Sequence, residues 1–220
     1  MIGVSLDGGR RTTAIRYDPV TPDPTHARVV LAHGAGAGQQ HPFIVNAARR
    51  LAAAGFEVVT FNFPYLEEKR RVPDRPAALE ACFRRVVEAA REGDAASRPL
   101  FIGGKSMGGR IATHLAAQGA SIAGVFALGY PLHPPGKPQQ LRSAHLPDIT
   151  VPVLIVQGER DPFGTPSELA PAVAAMQAPV TLEVAVGGDH SLGRPRQPAS
   201  DRDDWLAAVI AAWIRRVYSA

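Results

Sequence analysis

The sequence contains a single cysteine, Cys82, so no disulfide can form within the chain. Such scarcity is common in proteins of reducing compartments. The opening residues, MIGVSLDGGRR, lack the basic segment and the following apolar segment of a signal peptide. No apolar run approaches the ~20 residues that a membrane-spanning helix needs. Together these absences predict a cytoplasmic protein with no membrane partner.

The chain also lacks a strong excess of charge of either sign, since its formal net charge is only +4 at pH 7. Basic residues occur as pairs scattered along the chain, such as Arg49-Arg50, Arg84-Arg85 and Arg215-Arg216. Acidic residues lie near several of these pairs. A nucleic-acid-binding surface gathers such charges on one face. Their spread favours a solvated surface, so we predict no nucleic-acid partner.

Motifs for nucleotides and metals are missing too. The glycine-rich segment 33–38 (HGAGAG) lacks the lysine and Ser/Thr of a P-loop. Its glycines do not have the G-x-G-x-x-G spacing of a dinucleotide-binding turn. No pair of histidines has metal-ligand spacing such as H-E-x-x-H. We therefore expect neither a cofactor nor a metal.

Short apolar segments alternate with segments of helical spacing, and twenty prolines and twenty-one glycines separate them. Residues 1–18 read as a hairpin around Asp7-Gly8-Gly9. Strands are predicted at 28–34, 56–63, 99–104, 122–130, 151–158 and 179–186. Helices are predicted at 41–55, 73–92, 107–118, 167–176 and 203–218, the last with an apolar stripe of Trp205, Val209, Trp213 and Val217.

This alternation predicts an α/β protein with a mostly parallel central sheet, an N-terminal antiparallel hairpin and helices on both faces. The 220 residues suit one domain, 1–220. In sheets of this kind, ligands bind at the carboxyl ends of the strands. The residues that follow each strand are therefore the candidates for function.

The segment after strand 99–104 reads Gly104-Lys105-Ser106-Met107-Gly108 and leads into a helix. It matches G-x-S-x-G in the strand, sharp turn, helix context of a nucleophile elbow. The glycines leave room for a strained turn that raises the serine hydroxyl above the sheet. The helix N-terminus behind it favours a developing anion. We interpret Ser106 as a nucleophile.

Two later strand ends supply the residues that a serine nucleophile needs. Asp161 follows strand 151–158, and His190 follows strand 179–186. A histidine can take the serine proton and return it to the leaving group, and an ionised aspartate orients the histidine. The chain order Ser, Asp, His is that of α/β-hydrolases. Glu159 lies closer to its strand end and remains a rival to Asp161 as the acid.

The first parallel strand ends in the glycine-rich segment 33–38, which can present backbone N–H groups to an oxyanion. We predict that the N–H groups of Ala35 and Met107 form this oxyanion hole. His33 is expected to brace the segment rather than transfer protons. Gly34, Lys105 and His133 are candidates for substrate contact, with Lys105 facing solvent near the mouth of the site. Cys82 is expected to be packed inside a helix–sheet contact.

Five segments carry a resemblance to a known family: HGAGAG (33–38), GGKSMGGR (103–110), GYPLHPPGKP (129–138), QGERDPFG (157–164) and GGDHS (187–191). Together they resemble the small, lidless α/β-hydrolases related to dienelactone hydrolases. GYPLHPPGKP is similar to a branch that includes the hydrolase-like domain of an NSL chromatin complex subunit. The resemblance implies a triad of Ser106, Asp161 and His190, and an oxyanion hole at Ala35 and Met107. Dienelactone hydrolases use a cysteine nucleophile, so their activity is not implied by a serine at 106.

These features predict a serine hydrolase that cleaves a small acyl substrate, such as an ester or thioester, through an acyl-enzyme. The alternative is a non-catalytic binding or scaffold protein that keeps the fold, because fold alone does not decide function. The segment between strand 122–130 and strand 151–158 is too short to form a cap domain. We therefore expect a shallow, open pocket.

A panel of p-nitrophenyl esters of rising acyl chain length tests the open-pocket hypothesis. Short acyl groups should give the higher kcat/KM, because a pocket without a cap offers no enclosed apolar channel for a long chain. A clear preference for long-chain esters over short ones would contradict it.

Overall fold

The computed structural model describes residues 2–92 and 97–219. These residues form one eight-stranded sheet, whose strands are β1 (Ile2–Ser5), β2 (Arg11–Tyr17), β3 (Arg28–Ala32), β4 (Glu57–Phe61), β5 (Leu100–Lys105), β6 (Gly124–Leu128), β7 (Val153–Gly158) and β8 (Val180–Ala185). The spatial order is β1-β2-β4-β3-β5-β6-β7-β8. β2 pairs antiparallel with β1 and β4, and the strands from β3 to β8 are parallel.

Six helices connect or cover the strands: α1 (Pro42–Ala53), α2 (Pro64–Glu67), α3 (Pro76–Ala89), α4 (Met107–Ala117), α5 (Pro166–Ala174) and α6 (Ala199–Tyr218), counted over the described residues. The predicted α/β architecture with an N-terminal antiparallel pair is therefore confirmed, although Met1 of the predicted hairpin lies outside the described residues. None of the helices described is long and apolar enough to cross a membrane.

The two faces of the sheet carry separate apolar cores. Successive side chains of a strand point to opposite faces, so Phe101 packs against α6 and the adjacent Ile102 packs toward α3 and α4. The Phe101 and Trp213 rings meet edge to face at 5.4 Å, and Phe61 contacts Phe83 at 4.8 Å on the other face. Each fully buried side chain of this size contributes roughly 1.5–3 kcal/mol to folding.

The apolar stripe predicted on the last helix packs against the core on one face of the sheet. Trp213 is buried, and Trp205, Val209 and Val217 are partly buried. Residues four apart drift by about 40° around a helix of 3.6 residues per turn, so a stripe of that spacing does not coincide with the most deeply buried positions. The buried face instead mixes steps of three and four: Leu206, Ile210, Trp213 and Ile214. The helix also begins at Ala199, before the predicted 203.

The structure differs from the prediction in the bounds of α3 and in the presence of the short helix α2. The helix spans Pro76–Ala89 rather than 73–92, because Pro76 occupies its first turn and holds Arg75 in an extended conformation. The single-turn helix α2 was not predicted, since four residues are too few to show a period. Its Glu67 carboxylate accepts hydrogen bonds from the Thr13 N–H and the Asn62 amide, which ties the turn to β2 and the end of β4.

The segment between β6 and β7 contains one short 3-10 turn at Leu146–Asp148 in the described chain and builds no cap. The carboxyl ends of β3, β5, β7 and β8 are therefore uncovered by an inserted domain. The loops that follow these four strands meet at one edge of the sheet, which is where the sequence places the candidate catalytic residues.

Candidate active site

Ser106 lies at the turn between β5 and α4, with φ 51° and ψ −115°. Such a conformation is strained for a residue with a side chain and is retained only where the surroundings impose it. A Cβ at Gly104 would lie 2.5 Å from the Ala32 carbonyl oxygen, and one at Gly108 would lie 2.6 Å from that of His33. Only glycine fits at these two positions. The elbow is therefore packed directly against the end of β3.

The hydroxyl, the imidazole and the carboxylate are hydrogen-bonded in series. His190 Nε2 lies 2.8 Å from Ser106 Oγ, and His190 Nδ1 lies 2.8 Å from Asp161 Oδ2. A carboxylate oxygen only accepts, so Nδ1 donates its proton to Asp161 and Nε2 is left to accept the serine proton. The structure thus brings together three residues from loops far apart in the chain.

A buried amide holds the Asp161 carboxylate in place. Its Oδ2 also accepts from Gln157 Nε2 at 3.0 Å, and its Oδ1 accepts from the Phe163 N–H at 2.8 Å. Gln157 is fully buried and bonds the Gly164 carbonyl and the Tyr130 N–H as well. Sequence reasoning missed Gln157, although a lone polar residue inside the apolar strand VLIVQG was a signal.

The rival acids point elsewhere. The exposed Glu159 carboxylate accepts from the Gly187 N–H at 2.6 Å. The Asp189 carboxylate accepts from the Ser191 N–H at 2.8 Å. Both therefore stabilise the loop that carries His190 and do not contact its ring.

Phe163 also orients the histidine, a role that no sequence pattern indicated. Its ring centroid lies 4.2 Å from that of His190, with 31° between the planes. A Cβ at Gly129 would lie 2.9 Å from the His190 carbonyl and 3.4 Å from Nδ1. The imidazole therefore packs closely against both the Phe163 ring and the Gly129 backbone.

The glycine-rich segment lies against the elbow, since a Cβ at Gly34 would be 3.5 Å from the Ser106 Cβ. Ala35 and Met107 both line the cavity at Ser106. In the described part of the chain, neither of their backbone N–H groups has a hydrogen-bond partner. Two donors are thus available beside the serine hydroxyl.

His33 braces this segment from below. Its Nε2 accepts the Phe63 N–H at 3.0 Å, so Nδ1 is the protonated nitrogen and donates to the Gly34 carbonyl at 2.8 Å. Burial, with a smaller contribution from the nearby His41, lowers the pKa of His33 to about 4, against the opposing hydrogen bond to Gly34. The imidazole is therefore neutral at neutral pH and serves as a fixed hydrogen-bonding bridge.

A cavity of about 660 Å³ opens onto Ser106 and His190. Gly34 and Lys105 line it, but His133 does not. His133 is buried, with Nδ1 on the Pro134 carbonyl at 2.9 Å and Nε2 facing the Glu168 carboxylate at 3.6 Å. These local partners hold the His133 ring within its own loop and away from the cavity. The prediction that His133 contacts the substrate is therefore not supported.

Lys105 also differs from expectation, because its side chain is partly buried rather than solvent-facing. Burial lowers the pKa of its ammonium to about 8, against the opposing influence of Asp161 and Asp189.

Cys82 is packed as predicted, and burial raises the pKa of its thiol to about 12. Across residues 2–92 and 97–219, no cluster of His, Cys, Asp and Glu is arranged to hold a metal.

A family model described as an alpha/beta hydrolase domain matches residues 25–217. The chain belongs to this family. Three solved structures superpose on this alpha/beta hydrolase over nearly its whole length. A dienelactone hydrolase from Anabaena variabilis superposes with a TM-score of 0.79 at 19% identity, covering 98% of this chain and 95% of the other.

A serine hydrolase without lid from Xanthomonas campestris gives a TM-score of 0.78 at 18% identity, with coverage of 98% and 93%. Est1E from Butyrivibrio proteoclasticus, with ferulic acid bound, gives 0.80 at 14% identity and covers 100% of both chains. At these identities the likeness establishes the fold alone.

The neutral His33 predicts a pH dependence of stability. Because its folded pKa lies below the ordinary 6.5, the unfolded chain binds a proton that the folded chain excludes. Stability from this group is present above pH 6.5 and is lost as the pH falls toward 4, by up to ~1.4 kcal/mol per pH unit. In urea unfolding measured between pH 6.5 and 4, His33→Gln should reduce the slope of the unfolding free energy against pH.

The exposed His26 offers the matched control. His26→Gln should leave the slope unchanged. An unchanged slope in His33→Gln as well would contradict the burial of a neutral imidazole at position 33.

Proposed function

We propose that the protein is a serine hydrolase that cleaves a small acyl substrate, a carboxylic ester or thioester, through an acyl-enzyme on Ser106. The observation that carries the proposal is the series of two 2.8 Å hydrogen bonds from the Ser106 hydroxyl through His190 to Asp161. A serine hydroxyl is a weak nucleophile without an adjacent base, and this arrangement supplies one.

In the first half-reaction, His190 Nε2 takes the proton of Ser106 as Oγ attacks the substrate carbonyl carbon. The carbonyl π bond opens, and its oxygen becomes the oxyanion. In this proposal the N–H groups of Ala35 and Met107, which line the cavity, and the N-terminus of α4 stabilise that charge. Collapse breaks the bond to the alcohol or thiol, which takes the proton from His190.

In the second half-reaction, water attacks the acyl-enzyme while His190 takes one of its protons. The acid is released, and the proton returns to Ser106. Asp161 stays ionised throughout, where it keeps the proton on Nδ1 and stabilises the imidazolium. Gln157 and the Phe163 N–H hold the carboxylate in this position.

The structural neighbours support an acyl substrate of modest size. A lidless serine hydrolase and a protein with ferulic acid bound share this fold over nearly the whole chain. The resemblance to the branch containing an NSL complex subunit is the one argument for a non-catalytic scaffold. The serial hydrogen bonds favour the enzyme.

Labelling with a fluorophosphonate probe separates the enzyme from the scaffold. The native chain should be labelled at one site, because the probe reacts with an activated serine. Ser106→Ala should abolish labelling, and Ser191→Ala, which removes a neighbouring cavity serine, should retain it. A well-folded native chain that takes up no label would support the scaffold instead.

The acid is tested by comparing Asp161→Asn with Glu159→Gln, two isosteric changes within the same loop. Asp161→Asn should lower kcat for a short p-nitrophenyl ester on the order of 10³–10⁴-fold, because the amide no longer fixes the imidazole tautomer. Glu159→Gln should leave kcat near the wild-type value. The reverse ranking would make Glu159 the acid.

A further inference from the structure

Two arginine side chains line the cavity beside Ser106. Arg110 follows the serine by one turn of α4, and its N–H bonds the Ser106 carbonyl at 3.0 Å. Arg142 reaches the cavity from the segment between β6 and β7. Both side chains are partly buried. A serine hydrolase for neutral esters has no need of two guanidinium groups at this place.

Neither guanidinium has an acidic partner in the described residues. In the described chain neither guanidinium forms an ion pair or donates a hydrogen bond, and Arg110 Nε is buried without an acceptor. The Thr113 and Tyr130 hydroxyls bond only the backbone carbonyls of Arg110 and Arg142. The remaining cavity arginine, Arg202, is by contrast bound to the Asp203 carboxylate at 2.6 Å. Asp74 also lines the cavity, but Arg70 and Arg10 already bind it.

The surroundings of Arg110 disfavour its charge. Burial lowers the pKa of the Arg110 guanidinium, and the nearby Arg142 also lowers it, against the opposing influence of Tyr130 and Glu80. Arginine keeps its proton in proteins, so both charges remain. The two positively charged guanidinium groups line the same cavity and have N–H groups without acceptors. They are therefore complementary to an anion that accepts hydrogen bonds from both.

We propose that the substrate carries a carboxylate, bound by Arg110 and Arg142 in the same cavity that opens onto Ser106. This inference rests on the proposed function and narrows its substrate class to anionic esters or thioesters. Because both arginines line the same cavity as Ser106, a substrate in which a few methylene groups separate the carboxylate from the scissile carbonyl suits the site. The carboxylate belongs either to the acyl group or to the leaving alcohol, and both cases use the same two arginines.

Two matched pairs of esters test the proposal. In the acyl pair, monomethyl glutarate is compared with methyl 4-carbamoylbutanoate, which has a neutral amide of the same shape. In the alcohol pair, 4-acetoxybutanoate is compared with 4-acetoxybutanamide. Acid release is followed in a pH-stat. We expect the carboxylate member of one pair to have a kcat/KM higher by about tenfold or more, as charge-assisted hydrogen bonds give.

Arg142→Gln is the decisive variant, because the Arg142 side chain makes no polar contact in the described structure and its backbone bonds are retained. The preference for the carboxylate ester should fall to near unity, because kcat/KM for the carboxylate ester falls more than kcat/KM for the neutral ester. Lys137→Gln is the control, since it removes the same charge from an exposed position of the same segment. Arg110→Gln is the second variant.

The outcomes are distinguishable. Equal kcat/KM within both pairs, or a preference that survives in both Arg142→Gln and Arg110→Gln, overturns the carboxylate site alone. Fluorophosphonate labelling without hydrolysis of any of the four esters also overturns it alone. Absence of both labelling and hydrolysis overturns the proposed function, and the carboxylate site with it.

Discussion

The close packing of the β5–α4 elbow against the end of β3 is the contact on which the site depends. Gly104 and Gly108 bring their backbones to the Ala32 and His33 carbonyls at distances that no side chain permits. This contact holds Ser106 at a positive φ and sets its hydroxyl above the sheet. It also sets the glycine-rich segment beside the serine, so the Ser106 hydroxyl and the N–H groups of Ala35 and Met107 share one support.

The histidine and its acid are positioned by a second set of contacts, independent of the elbow. Asp161 is fixed by hydrogen bonds from Gln157 and the Phe163 N–H, and the Phe163 ring then confines His190. Gln157 sits in β7, so the orientation of the acid is tied to the sheet itself. The loops supply the reacting groups, and the buried strands decide where those groups point.

Sequence pattern predicted the parts of the site that a strand end or a glycine spacing specifies. Ser106, Asp161 and His190 each follow a separate parallel strand, and that topology places such residues at one edge. The parallel sheet itself follows from buried β-branched segments such as 28–34 alternating with helical ones. Gln157, Phe163, Arg110 and Arg142 carry no such local signature. These residues reach the site only because the fold brings separate elements together, and no local pattern in a single sequence shows that proximity.

The errors have equally specific causes. His133 was placed near the substrate because its segment follows a strand, yet its ring is held by Pro134 and faces Glu168. The stripe on α6 does pack against the core, but a spacing of four drifts around a helix, so three of its members are only partly buried. For His133 the chain position was right and the direction of the side chain was not, since direction depends on neighbours far away in the sequence.

The most direct measurement of the central claim is mass spectrometry of the protein quenched in acid during turnover of p-nitrophenyl acetate. The predicted result is one added acetyl group on the peptide that contains Ser106, formed with the initial release of p-nitrophenol and lost as the substrate is exhausted. Turnover with no acetyl group on that peptide, or with a transient acetyl group at another residue, would contradict an acyl-enzyme on Ser106.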